Sequence, residues 1–182
     1  MPSRQTKRKG IRLHAAATAA AMPASLDLML PMQVNKAHLS SRKRNSLSER
    51  FPELTGIANS IKADTATIDG EIVALDPNGL PHFEGLRSRG HRSYSIVFYA
   101  FDLLYLDGYD LTACPLTKRK ALLKRILPKA NTGRIRFTDH INGSGVRLFE
   151  KLEALQLEGM VMKRKDSVYA FSRCRDWLKV KT

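Results

Sequence analysis

Trp177, Lys179 and Lys181 alternate through the run Trp-Leu-Lys-Val-Lys near the end of the chain. On a strand, a period of two puts all three on one face. Two ammonium groups side by side repel unless an anion answers them, and a polyphosphate is the anion that fits. A plain basic surface strand is the simpler reading, but the tryptophan set into the run weighs against it. Asp69 and Glu71 have the same spacing. Their carboxylates would share a face of an apolar strand, where a cation between them would relieve their repulsion; an ordinary turn at Asp69-Gly70 explains them equally well. Arg42 opens the cluster Arg42-Lys43-Arg44. Its guanidinium can offer two parallel donors to phosphate oxygens, although a solvated basic loop would look the same. Asp102 sits in the apolar run SYSIVFYAFDL at 94–104, on the face opposite Phe101 in a regular strand. A carboxylate in such a run needs a partner.

The elements that must hold these residues are legible. Residues 66–75 read as a strand, and Pro77-Asn78-Gly79 as a turn. Residues 94–104 are β-branched and aromatic, as a buried strand requires, and Asp107-Gly108 ends the run. Residues 117–127 place Ala121, Leu122 and Ile126 at helical spacing with the basic residues on the other face, and Pro128 stops the helix. A short strand is predicted over 134–138. Val146, Phe149, Leu152 and Leu155 give a helical pattern over 144–156, and two more strands follow at 158–164 and 175–181.

The whole-chain balance is 31 Lys and Arg against 17 Asp and Glu, a net charge of +14 over 182 residues. Such a charge favours a polyanionic partner, nucleic acid first, and the length suits one domain with a real core. Cys114 and Cys174 are far apart and lack metal-ligand spacing, which fits free thiols in a reducing compartment. Apolar runs fall well short of the roughly 20 residues that span a bilayer.

Taken in order, Ser41-Arg42, Asp69-Gly70-Glu71, Phe101-Asp102, Glu158-Gly159-Met160-Val161-Met162-Lys163 and Trp177-Leu178-Lys179-Val180-Lys181 resemble the motif series of the adenylation domain of ATP-dependent DNA ligases. The stretches 41–54 and 98–111 are most similar to the ligase module of bacterial end-joining ligases. The resemblance covers residues 33–182. It implies an α+β fold of the ATP-grasp-like nucleotidyltransferase type, incomplete here, with antiparallel-rich sheets flanked by helices. It implies ATP and Mg²⁺ as cofactors, and nicked or broken duplex DNA as the partner of a cytoplasmic, nucleoid-associated bacterial enzyme. By the same resemblance, Arg42 contacts phosphate, Glu71 lies near the ribose and the metal, and Phe101 stacks on adenine. Glu158 helps hold Mg²⁺. Lys163 neutralises the α-phosphate in the transition state, and Lys179 and Lys181 take the triphosphate. Glu158 and Lys163 are five apart, on opposite faces of a regular strand, so a bend near Gly159 is expected.

One family motif is absent. The nucleophilic lysine of these ligases lies in Lys-x-Asp-Gly, and the two Asp-Gly pairs here, at 69–70 and 107–108, have no lysine two positions before the aspartate. Residues 1–32 are basic and alanine-rich, and are expected to be unrelated to the domain or disordered. In the family an OB-fold domain follows the last motif, where this chain reaches Thr182. The expectation is therefore a ligase segment that cannot adenylate itself alone, served by a missing ligase segment or an end-joining partner. The alternative is a non-catalytic remnant that binds DNA or nucleotide.

Overall fold

A computed structural model of the chain describes residues 10–16, 36–41, 45–82, 84–87, 94–143, 145–154, 159–172 and 174–182. In chain order these form β1 (Gly10–Ala16), β2 (Ala37–Ser41), a 3₁₀ helix (Pro52–Ser60), β3 (Thr65–Leu75), α1 (Glu84–Arg87), β4 (Ser95–Leu106) and β5 (Tyr109–Asp110). There follow α2 (Leu116–Ile126), β6 (Ile135–Phe137), α3 (Gly145–Ala154), β7 (Gly159–Lys163) and β8 (Trp177–Lys181).

The long strands β3 and β4 pair antiparallel and form the spine of a sheet ordered β2-β1-β3-β4-β5, with β6 joined to β4. The sheet is mixed, because β1 runs parallel to both β2 and β3, and β6 runs parallel to β4. Residues 10–16 of the basic N-terminal stretch thus lie within the sheet, Gly10 opposite Thr65 and Ala16 opposite Glu71. Their alternation of Ile11, Leu13 and Ala15 suits a strand, a signal that overall composition hides. The turn after β3 forms because the Asp76 carboxylate accepts the Asn78 and Leu80 amides while Gly79 takes φ 80°. At the end of β4, Asp107 turns the chain and accepts the Asp64 and Thr65 amides, fixing the start of β3 beside it.

Alternation in β3 buries Ala66, Ile68, Gly70, Ile72 and Ala74. They join Leu39, Leu54, Ile57, Phe98, Ala100 and Leu123 in one core. Gly70 belongs there because a Cβ at that position would stand 2.4 Å from the Phe98 ring. The buried stripe of α2 is Leu116, Arg119, Leu123 and Ile126, and Ala121 is exposed. The sequence expectation that every basic residue of this helix faces outward is corrected at Arg119, which turns inward to a charge on β4.

The antiparallel hairpin of β7 and β8 forms a separate small sheet. The segment before β8 ties it to the rest. The Leu116 and Thr117 amides at the start of α2 donate to the Ser167 and Lys165 carbonyls, and the Tyr169 amide donates to the Thr112 carbonyl. Helix α3 lines an apolar groove with this hairpin, formed by Gly145, Val146, Phe149, Met160, Met162 and Val180. No side chain of α3 is fully buried, so its apolar stripe is only half covered.

Candidate nucleotide site

The site begins with an irregularity in β4. Asp69 pairs with Asp102 and Gly70 with Ala100, which leaves Phe101 as an extra residue in the ladder. A bulge of this kind re-aims side chains. It corrects the expectation that Phe101 and Asp102 face apart: Phe101 reaches the β7–β8 hairpin, and Asp102, cross-strand from Asp69, joins the same network. The neighbouring aromatics separate by burial. Phe98 is fully buried in the core, whereas Phe101 is half-buried on the site side.

Asp102 has the partner that its setting demands. Arg119 donates to it through Nε at 2.8 Å and Nη2 at 3.0 Å, and both side chains are wholly buried. The remaining guanidinium nitrogen donates to the Cys114 carbonyl and, at 3.1 Å, to the Ser167 carbonyl. Tyr169 lies 5.8 Å from the Arg119 guanidinium and donates its hydroxyl to buried Asp69 at 2.7 Å. One network therefore neutralises a buried charge and docks the segment that carries the hairpin.

The hairpin gathers its cations on one face. Its register sets Lys163 opposite Trp177, Val161 opposite Lys179 and Gly159 opposite Lys181. Directly paired residues share a face, so Lys163 joins Trp177, Lys179 and Lys181, as the period-two reading requires. The Lys163 ammonium sits between two rings, 3.9 Å from the Trp177 centroid and 4.6 Å from that of Phe101. Each such contact contributes on the order of 0.5–2 kcal/mol. Trp177 in turn packs edge-on to Tyr169 at 5.2 Å. Three sequence clusters thus converge: Phe101 from β4, Lys163 from β7 and Trp177 from β8. Lys179 and Lys181 are exposed further along the same face.

At the head of this hairpin Gly159 takes φ 134°. A side chain there would place Cβ 2.1 Å from the Val180 carbonyl oxygen, so the position demands glycine. Glu158 itself, like Arg42, lies outside the described residues. Glu71 is half-buried, two positions along β3 from Asp69 on the same side of the strand. Among the described residues no group of three or more His, Cys, Asp or Glu is placed to hold a metal ion.

Arg119, Lys120 and Tyr169 were not among the residues that sequence singled out. Asp102 was the available signal for Arg119, since a buried carboxylate implies a cation somewhere. Lys120 donates to the Thr138 carbonyl at 2.9 Å and approaches the Phe101 carbonyl at 3.5 Å. Burial, and then the charge of Lys163, push its pKa down to about 8.

This geometry can be set beside known proteins. A sequence profile described as "ATP dependent DNA ligase domain" matches residues 29–181. The chain belongs to the ATP-dependent DNA ligase family. It is 32% identical, over 85% of its length, to the multifunctional non-homologous end joining protein LigD of Mycobacterium bovis, and spans 20% of that protein. To the SPbeta prophage-derived DNA ligase-like protein LigB of Bacillus subtilis it is 33% identical, with 84% of this chain and 56% of that one covered. The solved ligase domain of Mycobacterium tuberculosis LigD superposes with a TM-score of 0.64 at 32% identity, over 78% of this chain and 46% of that domain. A mycobacterial DNA ligase D solved with ATP and MES gives 0.65 with the same coverage. The ligase fold expected from the motifs, helices with antiparallel pairing at its centre, is the fold observed. No helix among the described residues is long and apolar enough to cross a membrane.

Proposed function

We propose that this ligase domain binds ATP with Mg²⁺ on the face shared by Phe101, Lys163 and Trp177, and serves the sealing of nicked or broken duplex DNA. The observation that carries the reading is the Phe101–Lys163–Trp177 stack, which draws three separated motifs to one point. On this reading the Phe101 ring offers its face to the adenine. Lys163 exchanges its ring contacts for the α-phosphate, and Lys179 and Lys181 supply positive charge along the β- and γ-phosphates. Arg42 belongs to the same phosphate set, and Glu71 with Glu158 to the metal. Mg²⁺, when bound, neutralises phosphate charge and favours pyrophosphate as leaving group.

In the family reaction a lysine amine attacks the α-phosphorus, AMP passes to the 5′-phosphate of the nick, and the 3′-hydroxyl displaces it. The protein supplies positioning and charge. The 182 residues contain no Lys-x-Asp-Gly, so we assign to this chain the binding and charge stabilisation of the first step without its covalent bond. The missing amine also favours a second reading, a ligase-derived module that binds nucleotide or DNA without catalysis. The net charge of +14 suits a DNA partner in the cytoplasm, held with a strong dependence on salt.

Trp177 is the sole tryptophan, so its emission reports directly on the site. Titration with ATP and Mg²⁺ should give a saturable change in that emission. Phe101→Leu should weaken the binding by about 1–3 kcal/mol, the scale of a lost base–aromatic stack. Saturable binding that ignores Phe101→Leu would place the adenine elsewhere.

A further inference from the structure

The ladders on either side of β4 both fail at Phe101. Its partner strand β3 passes from Asp102 to Ala100 across the bulge, and β6 stops at Phe137 opposite Ala100. One further bond, from the Thr138 amide to the Ala100 carbonyl at 2.8 Å, closes that edge. The carbonyls of Phe101 and Thr138 at this gap meet a donor from outside the sheet. Lys120 supplies it from α2, with its ammonium 2.9 Å from the Thr138 oxygen, 3.5 Å from the Phe101 oxygen and 4.8 Å from the Phe137 ring centroid.

We propose that Lys120 is a positioning residue for the nucleotide: its ammonium joins the Phe101 peptide to the end of β6 and so sets the Phe101 ring against Lys163. This rests on the ATP-binding reading above. Lys120 itself touches no reacting atom. The charged groups around it are Lys163 on β7, Asp102 on β4, Asp139 after β6 and Lys124 on its own helix. The two lysines favour loss of its proton and the two aspartates oppose it, but burial is the largest influence and leaves the pKa at about 8. Above that value a charge-assisted bond becomes an ordinary one, roughly half as strong.

The effect on overall stability has the opposite sign. Between about 8 and 10.5 the unfolded chain keeps the Lys120 proton that the folded chain has released, so this group's contribution to stability rises with pH. General unfolding would weaken binding and lower the melting temperature together. Loosening of the Lys120 contact weakens binding while this group's share of stability increases.

The test measures the dissociation constant of labelled ATP with Mg²⁺ by equilibrium dialysis, and the Trp177 emission without ligand, from about pH 7 to 9.5. In the wild-type chain ATP affinity should fall about threefold as pH rises through about 8, with a matching step in emission. Lys120→Arg keeps the charge and removes the titration, so both profiles should flatten at the wild-type low-pH affinity. Lys120→Met should be flat and weaker by about tenfold at pH 7. A step near 8 that persists in Lys120→Arg would assign the titration to another group and overturn the proposal. So would a folded Lys120→Met chain with wild-type affinity. If Lys120→Met fails to fold, the arginine variant decides alone. A wild-type chain that binds no ATP at any pH would defeat the nucleotide reading, and the emission step, present or absent, would then decide whether Lys120 holds the Phe101 peptide.

Discussion

Arg119→Met should be the most damaging single substitution in this chain. It strands the Asp102 carboxylate at zero exposure and removes the donors to the Cys114 and Ser167 carbonyls. Breaking a buried ion pair from one side costs about 3–5 kcal/mol, a large fraction of the total stability of a domain this size. Urea unfolding followed by circular dichroism should show that loss, and the emission of Trp177 should move before the main transition because the Ser167 segment anchors the hairpin. The double variant Asp102→Leu/Arg119→Met should recover much of the stability, since no charge is then left buried. If the single variant loses less than about 1 kcal/mol, water or another group must reach Asp102, and the network does not hold the hairpin as described.

Lys163→Ala should have the largest effect on chemistry. It is best measured in a chimera whose residues 1–30 are replaced by the Lys-x-Asp-Gly segment of a close ligase relative, with that relative's OB-fold domain joined. The rate of lysyl-AMP formation should fall about 10²–10³-fold, the scale for removing a donor aimed at developing phosphate charge. Lys179→Ala and Lys181→Ala should each cost less, because both side chains are exposed and screened. A chimera that adenylates at an unchanged rate without Lys163 would show that the ammonium between Phe101 and Trp177 never engages the phosphate.

The parts of this site that were legible in sequence are those governed by period. Trp177, Lys179 and Lys181 share a face because a strand alternates, whatever surrounds it. The 94–104 run could only be a buried strand, and β4 occupies it. What failed was anything decided by a register slip or by a contact distant in sequence. Strict alternation set Phe101 and Asp102 apart, and one extra residue in the ladder undid that. The basic residues 117–127 read as a solvated face because nothing local shows that Arg119 meets Asp102 seventeen residues earlier. Compositional bias hid the strand at Gly10–Ala16. Gly159 is the intermediate case: the offset between Glu158 and Lys163 points to this position, while its φ of 134° and its conflict with the Val180 carbonyl appear only in three dimensions.

On the proposed reading the chain supplies the nucleotide-binding face of a ligase adenylation site, and a Lys-x-Asp-Gly segment must supply the amine. Incubation with α-labelled ATP and Mg²⁺, followed by denaturing gel electrophoresis, separates these two contributions. The chain itself should show no covalent label, while the folded chimera with the supplied lysine should show one that hydroxylamine releases. A hydroxylamine-sensitive label on the unmodified chain, or a folded chimera that never takes one up, would overturn this division of roles.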